Sequence, residues 1–148
     1  MSELLDQLRR QLRADEGVSA TMYRDHLGYA TIGVGRLIDE RKAGAGLRPH
    51  EIDYLLDNDI ADRIERLTKL LPWLGALDEC RRGVLLNMSF QLGVQGLLAF
   101  QRTLNAVRER RFDDAADAML QSLWAKQTPH RARRLAQQMR CGEWQFAD

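Results

Sequence analysis

Cysteine, histidine and proline are all scarce in this 148-residue chain, and each shortage removes a class of protein. Two cysteines, Cys80 and Cys141, are too few for a disulfide framework, so free thiols in a reducing compartment are the expectation. Neither has a histidine beside it in sequence that would suggest a thiol nucleophile. The three histidines, His26, His50 and His130, are scattered without ligand spacing, which argues against a metal site. Three prolines, no repeat and no low-complexity tract leave no linker between domains. No apolar run reaches membrane or signal-peptide length, and the opening SELLDQLRRQLRADEG is strongly charged. The expectation is cytoplasmic synthesis with no stable membrane insertion.

What is present suits one domain able to bury a core without staples, since 45% of residues are hydrophobic and 29% charged. The net charge of +1 is uneven: residues 1–72 carry 11 basic against 13 acidic side chains, and residues 73–148 carry 11 against 8. A mildly basic second half suits an anionic polymer such as a cell wall, although scattered solvated charge is the commoner cause. No aromatic–basic stripe accompanies it, so nucleic acid is not an expected partner.

Leu4, Leu5, Leu8 and Leu12 mark an amphipathic helix over residues 2 to about 14, stopped at Gly17. Residues 21–38 then change character. Tyr23, Tyr29, Thr31, Ile32 and Val34 favour strands, and His26-Leu27-Gly28 can turn between them, giving a β-hairpin. Gly33 and Gly35 signal a bulge or a close approach of the backbone to a ligand. After a loop at 39–48, Pro49 opens a long helix whose apolar residues run at three-to-four spacing from Ile52 to Leu71 and stop before Pro72. Further helices are predicted over 78–92, 101–110, 113–124 and 129–140, with 124–129 as a loop and Thr128 as the cap of the last helix. The fold class is α+β and predominantly helical: a small hairpin lobe (about 15–48), a connecting helix (about 49–71), and a larger helical lobe (about 73–148, with helix 2–14).

Chemistry concentrates at the first helix–hairpin junction. Glu16 lies at the helix end, Asp25 nine residues later in the hairpin, and Thr31 on the returning strand. Two acids and a hydroxyl on different local structures are what hydrolysis of a glycosidic bond requires: one carboxyl protonates the leaving oxygen, and the other handles water or the cationic transition state. The plainer alternatives are a surface acid for Glu16, a turn-capping aspartate for Asp25 and an ordinary strand threonine for Thr31.

This spacing, together with the text GYATIGVGRLI, closely resembles the phage-type lysozymes, and the resemblance covers nearly the whole chain. It implies a lysozyme-like two-lobed fold and a muramidase that cleaves the β-1,4 bond between N-acetylmuramic acid and N-acetylglucosamine in bacterial peptidoglycan. Glu16 would be the general acid, a role that asks for a carboxyl kept protonated by burial or nearby negative charge. Asp25 and Thr31 would position the water. Leu37, Phe90, Gln91 and Thr103 match substrate-contacting positions, and Arg131, in the segment TPHRA, matches an arginine lying near the acid. For Phe90 a core role, and for Arg131 a solvated helix-start role, are the alternatives; Trp124 is assigned to the core. No cofactor is implied. The resemblance further implies a monomeric endolysin, made in the host cytoplasm and released to the wall through a holin-type pore.

The sequence departs from the family pattern at three places. Arg36 and Ala118 stand where members of the T-even type carry histidine and a polar substrate contact, and the 39–48 loop is shorter. Arg36 is expected to pair with Asp59. Two rival functions remain open at this point: a lytic transglycosylase, disfavoured by Asp25 and Thr31, and a non-catalytic wall- or membrane-active protein acting through Arg131, Arg133, Arg134 and Arg140 on the last helix.

Overall fold

Helix-stop and turn signals in the first third of the chain are realised in the computed structural model, which describes residues 2–148. Helix α1 runs Ser2–Glu16, two residues longer than the leucine stripe marks, with Glu16 at its end as expected. Gly17 closes it at φ +77°, a left-handed conformation that a side chain disfavours. Three strands follow, β1 (Ser19–Arg24), β2 (Ala30–Gly33) and β3 (Arg36–Leu37), paired antiparallel in the order β1-β2-β3. The expected hairpin is therefore a three-stranded meander. The sequence reading missed the second turn because β3 is only two residues long. Gly33 and Gly35, both at φ +69°, flank Val34 and reverse the chain there.

The register pairs Thr31 with Tyr23 on one side and Leu37 on the other. Between Ser19 and Tyr23 the ladder is irregular: four steps along β1 face two along β2. Helix α2, Pro49–Leu70, begins at the predicted proline.

The chain divides into two compact units, one ending at Leu55 and the other spanning Leu56–Asp148. Among the described residues of the first unit the buried side chains are polar, Thr31 and Asp39, and the leucine stripe of α1 is 40–62% exposed. The unit is held by backbone ladders and charged hydrogen bonds.

The second unit carries the apolar core. Its elements are the end of α2, a 3-10 turn at Leu74–Ala76, α3 (Glu79–Leu98), α4 (Gln101–Arg108), α5 (Phe112–Leu120), α6 (Leu123–Gln127) and α7 (Pro129–Cys141). Leu67, Leu74, Leu85, Met88, Leu97, Met119 and Met139 are fully enclosed. Asp78 caps α3 by accepting from the Arg81 amide. The helix predicted to end at residue 92 is interrupted at Gly93 (φ 75°, ψ 166°), but it resumes and continues to Leu98. The segment 124–127, read as loop, is the short helix α6, because the Ser122 hydroxyl caps it at Ala125. Thr128 turns its hydroxyl back to the Trp124 carbonyl and gives α7 no side-chain cap. At the other end of α7, Arg81 donates to the carbonyls of Met139 and Arg140 at 2.6 and 2.7 Å, satisfying orphan acceptors of the last turn.

Candidate active site

Three of the predicted residues fall on the first unit's sheet and the helix end beside it. Glu16 projects from the last turn of α1 against the β2–β3 turn. A Cβ placed on Gly35 would lie 2.8 Å from Glu16 Oε2 and 3.1 Å from its carboxyl carbon, so only glycine fits there without displacing the carboxyl. The close approach that Gly35 signals in the sequence is thus to this side chain. Glu16 is exposed rather than buried.

Asp25 sits where β1 gives way to the turn, and half of it does what the plainer reading holds. Its Oδ1 accepts from the amides of Leu27 and Tyr29, each at 2.9 Å, and so fixes the turn. Among the described residues its Oδ2 accepts no hydrogen bond.

Thr31 lies on β2 and is 4% exposed. Its hydroxyl donates to the Tyr29 carbonyl at 3.0 Å, which commits the proton and leaves the oxygen as an acceptor. The Tyr29 carbonyl also accepts from the Asp25 amide at 2.9 Å. One peptide group therefore ties Asp25 to Thr31. Leu37, half-buried on β3, pairs across the sheet with Thr31.

The other predicted residues lie in the second unit as two pairs. Gln91 accepts from Trp124 Nε1 at 2.8 Å, which leaves its amide nitrogen to donate elsewhere. Trp124, 3% exposed, is core as expected and meets Phe100 edge-to-face at 6.1 Å. Thr103, almost fully buried, lines the same apolar cavity as Trp124, about 480 Å³ in volume, with Ala118 on its wall. Phe90 and Arg131 line a second cavity of about 370 Å³ with Asn87 and Trp144. Phe90 is half-buried and carries the Arg63 guanidinium 5.1 Å from its ring centre. Arg131 is not a free helix-start cation: its Nε and Nη2 both donate to Asn87 Oδ1, at 3.0 and 2.7 Å.

Arg36 departs from its expected partner. Its ion pair is with Glu51, at 2.8 Å between Nη2 and Oε2. The reason is local: Pro49 starts α2 two residues before Glu51, and the Arg48 amide donates to the same carboxylate at 2.8 Å. The Arg36 guanidinium, with the Arg48 amide, holds Glu51 down to about 2 from its ordinary 4.5.

Sequence reasoning passed over Asp39 and Arg41. Asp39 is 5% exposed, accepts from the Ala30 amide at 2.9 Å and is gripped by Arg41 through Nε and Nη2, each at 2.7 Å. The Arg41 guanidinium beside it and the Ala30 amide hold its carboxyl well below the usual range. The available signal was the charged run DERK directly after the strands, which reads as an ordinary solvated loop.

With this geometry in view, the comparisons with known proteins agree on one class. The family model described as phage lysozyme matches residues 13–140, a span that contains every site residue predicted from the sequence. "Probable T4-type lysozyme 1" of Dictyostelium discoideum is 30% identical over 89% of this chain and 92% of its own length. The "Pre-baseplate central spike protein Gp5" of Enterobacteria phage T4 is 31% identical over 86% of this chain but only 26% of its own length. A third relative, "Peptidoglycan hydrolase gp36" of Pseudomonas phage phiKMV, is 26% identical over 88% of this chain and 15% of its own. The chain belongs to the phage lysozyme family, and is a glycoside hydrolase of the lysozyme kind.

Proposed function

We propose that this chain is a muramidase that hydrolyses the β-1,4 bond between N-acetylmuramic acid and N-acetylglucosamine in peptidoglycan. In this reading Glu16 donates its proton to the glycosidic oxygen as the C1–O bond breaks. A water held between Asp25 Oδ2 and the Thr31 oxygen attacks C1 from the opposite face, Asp25 takes its proton, and the anomeric configuration inverts.

The observation that carries this reading is the division of labour at Asp25. One carboxylate oxygen is spent on the turn and the other accepts no hydrogen bond among the described residues, while the Thr31 hydroxyl, tied to the same Tyr29 carbonyl as the Asp25 amide, has its proton already committed. An acceptor left over on each of these two residues suits a water nucleophile, which a transglycosylase does not use. On the helix that motivated the wall-binding alternative, one of the four arginines is paired with carboxylates. Arg131 is bound to Asn87, Arg140 pairs with Asp113 and Asp117, and Arg133 meets His130.

Mass spectrometry of fragments released from purified peptidoglycan by the wild type and Glu16→Gln tests the proposal. Reducing-end muramic acid, absent with the variant, supports it; anhydro-muramic products make the protein a transglycosylase. The endolysin role, with passage from the host cytoplasm through a holin-type pore, belongs to the same proposal and has family membership as its support. Its test is lysis of cells expressing the chain with and without a pore-forming protein.

A further inference from the structure

Asp39 and Arg41 have no part in the reaction just described, yet their contacts converge on residues 28–30, whose backbone holds Asp25 and Thr31. Arg41 Nη2 donates to the Gly28 carbonyl at 3.1 Å. Asp39 Oδ2 accepts from the Ala30 amide at 2.9 Å. These two contacts bracket Tyr29, whose amide binds Asp25 Oδ1 and whose carbonyl takes the Thr31 hydroxyl. The clamp is itself fixed: Asp39 Oδ1 accepts from Arg41's own amide at 3.0 Å, Ile38 donates to the Ala30 carbonyl at 2.9 Å, and Arg41 lies 5.0 Å from the centre of the Tyr29 ring.

We propose that the Asp39–Arg41 pair is a positioning device for the water-handling groups, setting the Tyr29 peptide and through it both Asp25 and Thr31. Neither residue touches substrate; each acts through the backbone of residues 28–30. The inference rests on the assignment of Asp25 and Thr31 above. Its chemistry is geometric. A carboxylate offers both oxygens as acceptors, so Asp39 can hold Arg41 with one and Ala30 with the other as well as Arg41's second nitrogen. An amide in its place offers one. Misplacement of a nucleophilic water by a fraction of an ångström lowers the rate of the chemical step and leaves binding of the glycan unaffected.

The experiment is steady-state kinetics on soluble peptidoglycan oligomers with Asp39→Asn and Arg41→Lys. Glu51→Gln serves as comparison, because it removes the other buried-edge ion pair of the same unit without touching residues 25–31. The expected result is a fall in kcat of roughly 10–100-fold for both Asp39→Asn and Arg41→Lys, with KM held within about twofold. Glu51→Gln should keep kcat at temperatures where it is folded. Arg41→Lys preserves the charge and loses the fork, so it decides the matter if Asp39→Asn unfolds. Unchanged kcat in a folded Arg41→Lys overturns the inference, and so does equal loss of kcat in Glu51→Gln. If Asp25→Asn itself retains activity, the underlying reading of the site fails instead, and that outcome is separable because it involves neither Asp39 nor Arg41.

Discussion

The two units of this chain solve the problem of holding a structure in opposite ways. From Leu56 onward, Leu85, Met88, Leu97 and their neighbours enclose a continuous apolar core, and the helices there are placed by burial. Up to Leu55 the buried side chains among the described residues are a threonine and an aspartate, and three β-strands are held by the Asp25 turn, the Asp39–Arg41 grip and the Arg36–Glu51 pair. Apolar burial is non-directional and tolerates approximate shapes. Charged hydrogen bonds are directional and short-ranged, and they fix individual carbonyls and carboxylates. The groups proposed for catalysis sit in the unit built the second way.

That contrast can be broken most severely at Glu16. Glu16→Gln keeps the shape of the side chain against Gly35, so turnover should fall by roughly 10²–10⁴-fold while the melting curve stays in place. A variant that still releases muropeptides at near wild-type rate removes Glu16 from its role. Asp25→Asn is the next largest: the amide oxygen can still accept from Leu27 and Tyr29, so activity should drop steeply with little loss of stability. Leu85→Ala makes the complementary test in the second unit. It should cost about 2–5 kcal/mol in chemical denaturation, with activity of the remaining folded fraction unaffected.

A smaller effect is expected from pH, and it separates the units directly. Glu51 binds its proton more weakly folded than unfolded. Its contribution is therefore fully present above about 4.5 and is lost as pH falls through about 2. Asp39, also lowered, acts in the same direction. Amide exchange followed residue by residue on acidification should show residues 19–37 opening before the core of α3. Glu51→Gln should flatten that difference; simultaneous opening of both units would contradict the comparison.

Most of the helices were legible from periodicity and stop signals. Pro49, Gly17 and Gly93 each mark a real boundary or break, and α6 was missed because a five-residue helix capped by Ser122 gives no period to count. Glu16, Asp25 and Thr31 could be proposed from the sequence because they lie within sixteen residues of one another and match a family pattern. The partner of Arg36 was not, since resemblance pointed to Asp59 and only the folded chain sets Glu51 beside it. Nor was the link between Asp25 and Thr31, which runs through the Tyr29 backbone and leaves no mark in side-chain identity.

By itself, then, the sequence determined the α+β class, most of the helices, the family and the type of enzyme, because these follow from local propensity, hydrophobic period and a short-range motif. Tertiary structure decided which oxygen of Asp25 is committed to the turn, why Gly35 must lack a side chain, and that Asp39 with Arg41 grips the strand carrying Thr31. Those depend on distances between atoms remote in sequence or on backbone groups every residue shares, and no pattern of side-chain letters encodes them.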